Sequence, residues 1–167
     1  MSERTWRVLF LCTANSARSI LAEAALNRAG AGRFQAYSAG STPRGAVNPA
    51  ALGLLREEGF EVAAFRSKSW HEFAAPGAPV IDFVITLCDS AAGETCPIWP
   101  GRPVSAHWGL PDPASVEGEA ERRAAFAATL VAIEARIGRL MALPLKWMDF
   151  EAMKQALADI GRSPATD

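Results

Sequence analysis

Short apolar runs, each stopped abruptly, alternate with stretches of helical periodicity along most of the chain, and that alternation leaves few folds open. Arg7-Val8-Leu9-Phe10-Leu11 is too short for a helix and has no polar face, as expected of a strand buried in a parallel sheet. Helical spacing follows over Ser19–Ala29, where Ile20, Leu21, Ala24, Ala25 and Arg28 recur at i, i+4 and Gly30 closes the run. Phe34–Ser38 reads as a second strand, ended by Ala39-Gly40. Asn48-Pro49 opens the next helix, with Asn as the cap and Pro at the first helical position, and Gly59 ends it. Asp82–Leu87 reads as a third strand and Val104–His107 as a short fourth. Glu117–Ala142 is a long amphipathic helix with Phe126, Leu130, Ile133, Ile137 and Leu140 on one face. Pro144 breaks it, Asp149 caps a last helix over Phe150–Ile160, and Arg162–Asp167 is expected to fray. The pattern predicts an α/β fold: a four-stranded parallel sheet flanked by helices. Such sheets bind ligands outside the carboxyl ends of their strands, beside a topological switch point. Cys12 follows the first strand and Cys88 the third, so both fall on that edge.

With 167 residues, half of them apolar, the chain is sized for one domain with a sizeable core. The boundary is expected near 142, with 143–167 a helical extension packed on or beside it. A net charge of -1 carries no basic footprint of a nucleic-acid binder. No apolar run reaches the roughly 18 residues that span a bilayer, so no membrane partner is expected. The short apolar run near Met1 holds Cys12 and Asn15 and is followed by Arg18, unlike a signal peptide. A cytoplasmic protein is expected. Three cysteines, Cys12, Cys88 and Cys96, are an odd count and argue against a disulfide framework. A single cysteine of this kind reads as inert core; three at strand ends or loops ask for more.

The segment Cys12-Thr13-Ala14-Asn15-Ser16-Ala17-Arg18-Ser19 has the plan strand, Cys, five residues, Arg, helix. A loop wound in front of a helix turns successive N–H groups inward, and these bind a tetrahedral anion beside the positive helix end. Thr13, Ala14, Asn15, Ser16 and Ala17 are the candidate nest. Arg18 adds a planar fork for two anion oxygens. The same field is expected to make Cys12 a thiolate near neutral pH. Ser19 can donate to that thiolate, and Asn15 tolerates a left-handed backbone and can tie the loop through its amide.

Together with Tyr37-Ser38-Ala39-Gly40-Ser41, Arg66-Ser67-Lys68-Ser69-Trp70, Val84-Ile85-Thr86-Leu87-Cys88-Asp89 and His107-Trp108-Gly109-Leu110-Pro111-Asp112-Pro113, this segment resembles the low-molecular-weight protein tyrosine phosphatase superfamily, and within it the branch of thioredoxin-coupled arsenate reductases. The resemblance implies arsenate, or a phosphate-like oxyanion, as substrate. Asp112, stiffened by Pro111 and Pro113, matches the general acid that protonates the leaving oxygen; taken alone, an Asp beside Pro reads as a turn or helix-terminal residue. In the reductase branch a first thiol attacks arsenate, a second attacks the first sulfur, and a third carries the disulfide to the surface, each step a thiol–disulfide exchange after the first. By resemblance Cys12, Cys88 and Cys96 take those roles in order. No metal or organic cofactor is implied; an external thiol donor, thioredoxin or glutaredoxin, is. A disulfide needs Cα atoms roughly 4.4–6.8 Å apart, whereas eight residues of helix span about 12 Å. The segment between Cys88 and Cys96 is therefore expected not to be straight helix when oxidised, and Gly93 and Pro97 suit a loop.

Several residues depart from the family pattern or stay open. Ala17 replaces a second loop cysteine of many members, and Ala14 a usual Gly. Some reductases bind potassium near the loop, and Asn15, Glu23 and Ser38 match that pattern, although Glu23 reads more simply as a solvated helix charge. Lys68 supports the loop or is exposed. His107 reads as structural, holding the acid loop, and Trp6 and Trp147 read as packing residues. The alternative activity is hydrolysis of phosphate monoesters by a tyrosine phosphatase. Ala114 and Ser115 stand where phosphatases usually carry aromatic residues, leaving Trp70, Trp99 or Trp108 to wall a phosphotyrosine ring. A second alternative is a non-enzymatic arsenite binder, which needs neither Arg18 nor Asp112.

Overall fold

The computed structural model describes residues 4–88 and 99–162. Its strands are β1 (Trp6–Cys12), β2 (Phe34–Gly40), β3 (Phe83–Thr86) and β4 (Val104–His107). Its longer helices are α1 (Arg18–Ala29), α2 (Pro49–Glu57), α3 (Glu119–Met141) and α4 (Phe150–Arg162), with single 3-10 turns at Trp70–Phe73, Pro113–Ser115 and Leu145–Trp147. The strands form one sheet in the order β2-β1-β3-β4, every pair parallel. The chain leaves β1 to one side for β2 and returns to the other side for β3. The crevice above β1 and β3 is thus the switch point at which such sheets bind ligands.

β1 is buried on both faces, which is why it reads as an unbroken apolar run. Val8 and Phe10 face the larger core, shared with Ile20, Leu21 and Leu26 of α1 and Phe126, Leu130, Ile133 and Ile137 of α3. Leu9 and Leu11 face a smaller cluster with Trp70, Phe73, Ile81, Val84 and Trp99. Phe10 is fully buried, and truncating a phenylalanine in such a position to alanine costs about 3–5 kcal/mol. At the amino end of the sheet Asp82 replaces a ladder position: Arg7 N donates to Asp82 Oδ2 at 2.8 Å, and β3 accordingly begins at Phe83.

Asn48 caps α2 as its residue type foretells, accepting from Ala50 N at 2.8 Å, with Pro49 at the first helical position. Asp149 does the same for α4, accepting from Ala152 N. α3 begins at Glu119 because Gly118 takes φ 90°, a value that no continuing helix admits. α4 sends Leu157 and Ile160 into the larger core. Trp6 stacks on Phe83 with ring centroids 5.4 Å apart, as a packing residue should. Trp147 does not pack; it is 80% exposed, because it leaves the 3-10 turn that Pro144 starts on the solvent side. Among the described residues no helix is long and apolar enough to cross a membrane.

Candidate active site

Parallel register brings the two cysteines together. Leu11 pairs with Thr86, and Leu87 N donates to Leu11 O at 2.9 Å, so β1 and β3 end level. Cys12 and Cys88 emerge side by side at that edge, each 5% exposed and packed into a small cluster of their own. Thr13 Oγ1 lies 3.5 Å from Cys88 Sγ. Cys96 falls outside the described residues, as does the segment expected to be non-helical when oxidised.

The loop from Thr13 to Ala17 is held from behind by its carbonyls. Thr42 N donates to Thr13 O at 2.9 Å, Arg44 N to Ala14 O at 3.0 Å, and Asn48 N to Ser16 O at 2.8 Å. Ser67 Oγ adds a second bond to Ala14 O at 3.0 Å. In a trans peptide the carbonyl and the following N–H point in opposite directions. Drawing those three carbonyls outward therefore turns the N–H groups of Ala14, Asn15 and Ala17 to the other side, the anion-binding side. Asn15 supplies the bend at φ 47°. Its amide ties the loop as expected: Nδ2 donates to Ser19 Oγ at 2.8 Å, and Oδ1 accepts from Lys68 N at 2.9 Å. Ser19, fully buried, is thus positioned through Asn15.

Arg18 opens α1, with its side chain 13% exposed. Nη1 donates to Leu110 O at 2.8 Å, and Nη2 lies 4.0 Å from Asp112 Oδ2. Its Nε is buried and has no hydrogen-bond partner among the described residues, a donor that an oxyanion in the loop would satisfy. Asp112 takes the turn-capping role that its neighbours suggest and also lies beside Arg18. Oδ1 accepts from Ala114 N at 3.0 Å and caps the turn at Pro113, while Oδ2 faces Arg18 and the side chain stays 44% exposed.

The expected thiolate is corrected by a neighbour that spacing does not reveal. The Cys12 thiol is pushed far above its ordinary value, first by its hydrogen bond with Cys88 and then by burial. Arg18 and the Thr13 backbone pull the other way and do not prevail.

Glu23 is likewise not a solvated charge. It is partly buried, accepts from Ser38 Oγ at 2.5 Å, and lies 3.8 Å from Lys68 Nζ, whose side chain is 9% exposed. Burial raises the Glu23 pKa and lowers that of Lys68. Lys68 supports the loop from both ends, by its backbone N–H to Asn15 and its ammonium to Glu23. That ammonium supplies the positive charge a potassium ion would bring, and Asn15 Oδ1 is already engaged, so the three residues do not fit a free cation. Among the described residues no cluster of three His, Cys, Asp or Glu side chains could hold a metal.

Residues 7–155 match the low molecular weight phosphotyrosine protein phosphatase family. The chain belongs to that family. Within it the chain is similar to an arsenate reductase of Shouchella clausii, 38% identical over 116 residues that cover 70% of this chain and 80% of the relative. A solved arsenate reductase in its phosphate-binding state superposes with a TM-score of 0.64 at 28% identity, covering 82% of this chain and 97% of that one. A thioredoxin-dependent arsenate reductase of Corynebacterium glutamicum superposes with a TM-score of 0.62 at 26% identity, over 84% of this chain and 62% of that one.

The tryptophans offered as walls for a phosphotyrosine ring are in the core. Trp70, Trp99 and Trp108 are 6%, 8% and 1% exposed, and Trp70 packs edge-on against Trp99. His107 Nδ1 meets Thr86 Oγ1 at 2.7 Å, so its ring binds the end of β3. Gly40 reads from sequence only as a strand end, and the structure shows that it positions the loop. A Cβ on Gly40 would lie 2.4 Å from Thr13 O and 2.9 Å from Cys12 O, so the loop of this phosphatase-family fold can sit where it does only over a glycine. Its signal was the Ser38-Ala39-Gly40 strand end directly beside Cys12 in register.

Proposed function

We infer that the protein is an arsenate reductase using Cys12, Cys88 and Cys96 as a thiol relay, with thioredoxin or a related dithiol as electron donor. The observation that carries this reading is the second sulfur: Cys88 packed against Cys12 in one buried cluster at the mouth of an oxyanion loop. Phosphate-ester hydrolysis needs one cysteine, because water completes it; a two-electron reduction needs a second thiol in contact with the first.

The backbone nest and the Nε of Arg18 hold the anion, and Cys12 Sγ displaces one oxygen from arsenic. That oxygen leaves as water, taking the Cys12 proton together with one already on the arsenate, and in this reading Asp112 relays the proton. Cys88 then attacks Cys12 Sγ. A sulfur–sulfur bond forms, the sulfur–arsenic bond breaks, and its electron pair stays on arsenic, which leaves as arsenite carrying the Cys88 proton. Cys96 attacks Cys88, frees Cys12 as a thiol and leaves a Cys88–Cys96 disulfide, which the external dithiol reduces at the cost of its own oxidation.

The test is NADPH consumption with arsenate, thioredoxin and thioredoxin reductase, comparing the wild type with Cys88→Ser. Turnover that vanishes in the variant supports the relay. No arsenate turnover with either donor, alongside aryl phosphate hydrolysis in both proteins, makes the chain a phosphatase. Arsenite binding that survives loss of Arg18, without turnover, makes it a binder.

A further inference from the structure

α4 ends against the base of the acid loop. Gly161, in its last turn, lies so close that a Cβ there would sit 2.2 Å from the His107 carbonyl oxygen and 2.9 Å from the Trp108 ring. Trp108 Nε1 donates to Leu157 O at 2.9 Å. Between the two, Arg136 reaches across from α3: Nη1 donates to Gly109 O at 3.2 Å and Nη2 to Gly161 O at 3.4 Å. Arg136 is 5% exposed, yet among the described residues its bonds go to carbonyls and not to a carboxylate. A buried guanidinium without a counter-ion is costly. What compensates it here is a pair of carbonyls, one of them at the negative end of α4.

The next residue along is Leu110, whose carbonyl holds Arg18 Nη1 at 2.8 Å, and Asp112 follows, 4.0 Å from Arg18 Nη2. The chain of contacts therefore runs from the end of α4 through Arg136 to Gly109, and from Leu110 to the guanidinium that faces the oxyanion loop.

We propose that Arg136, clamped between α4 and Gly109, is a positioning residue for the oxyanion chemistry: it fixes the segment that orients the Arg18 fork and carries Asp112. The inference rests on the roles of Arg18 and Asp112 given above. It assigns α4 a part in the site through Arg136 and Gly109.

The experiment uses the full chain with Arg136→Met, Arg136→Lys and Gly161→Ala, each checked for folding by circular dichroism. Two quantities are read: the affinity for inorganic phosphate by calorimetry, and kcat for arsenate in the thioredoxin-coupled assay. Arg136→Met is expected to weaken phosphate binding several-fold and to lower kcat by about tenfold or more, the scale of a sub-ångström misplacement. Arg136→Lys, which keeps the charge and one bond, recovers part of both. Gly161→Ala deletes no side-chain donor and improves helix propensity, but its Cβ presses on His107 O and pushes α4 off the acid-loop base, so it lowers kcat in a well-folded protein. Folded Arg136→Met and Gly161→Ala proteins with wild-type phosphate affinity and wild-type kcat overturn the proposal. If Arg136→Met does not fold, Gly161→Ala decides. Asp112→Asn separates this proposal from the acid reading: unchanged kcat in that variant refutes Asp112 as the acid, while weaker phosphate binding in Arg136→Met still upholds positioning through Arg18.

Discussion

Replacing Gly40 by alanine tests whether the oxyanion loop is placed by backbone contact. The added Cβ would meet Thr13 O at 2.4 Å, Cys12 O at 2.9 Å and Asn15 N at 3.0 Å. A carbon finds its comfortable separation near ~3.5 Å, so the loop must withdraw by about 1 Å. It cannot withdraw freely, because Thr13 O, Ala14 O and Ser16 O are each anchored to the 42–48 segment behind it. Overpacking of this kind costs about 1–3 kcal/mol, which lowers the melting temperature of a chain this size by about 2–12 °C. The intrinsic effect has the opposite sign, since alanine in place of glycine within a strand is favourable by about 0.5–1 kcal/mol. A displacement of about 1 Å in a group that aligns reacting atoms costs on the order of 100-fold in rate. Gly40→Ala is therefore expected to melt lower than the wild type and to lose most of its arsenate turnover, with weaker phosphate binding by calorimetry. Wild-type turnover with an unchanged melting temperature would refute the reasoning, because it would show that the loop has room its contacts deny.

Further outcomes follow from the same geometry. Asp112→Asn is expected to lower arsenate turnover by about 10²–10⁴-fold, the contribution of a general acid, while phosphate affinity is retained; equal losses in both would assign Asp112 to binding alone. Cys88→Ala removes the largest influence raising the Cys12 pKa, so iodoacetamide should alkylate Cys12 faster at neutral pH, and an unchanged or slower rate measured by mass spectrometry would contradict that assignment. Glu23, raised above its ordinary value of 4.5 by burial, binds its proton more tightly folded than unfolded. Between pH 4.5 and its raised value the folded state thus holds more protons, and stability falls as pH rises through that window. Glu23→Gln should abolish that part of the slope in melting temperature against pH; the same slope in both proteins would rule Glu23 out as its source.

What could be read from the sequence was local. Asn15 at φ 47° and Asn48 capping α2 follow from residue type and neighbours. The strand ends carrying Cys12 and Cys88 follow from where apolar runs stop. What could not be read depends on partners far along the chain. Glu23 sits at a helix position that reads as solvated, but Ser38 from β2 and Lys68 from the strap beneath the loop enclose it. Arg136 reads as one more charge on an amphipathic helix, and only the arrival of α4 buries it. The Cys12 pKa depends on such a partner: Arg18 is near in sequence, whereas Cys88 is 76 residues away and reaches Cys12 only through the β1–β3 register.

That last partner bears on mechanism. A nucleophile is strengthened by losing its proton, yet a relay requires a second thiol in contact, and here that thiol raises the Cys12 pKa. The two demands are reconciled if the proton leaves with the substrate oxygen. The departing oxygen needs protons to become water, and Cys12 has one at the point of attack. Arg18 is arranged to match: it holds Leu110 O with one nitrogen, and its Nε has no partner among the described residues, so an anion entering the loop would meet that donor. A neutral Cys12 also resists indiscriminate oxidation, since the thiolate is the oxidisable form. Phosphate occupies such a nest without being reduced, and its charge offsets the field of Arg18 on Cys12; raising phosphate should therefore change the pH dependence of Cys12 alkylation in the wild type and leave Cys88→Ala less affected. An identical phosphate effect in both proteins would place the control in the loop and Arg18, and not in the paired sulfurs.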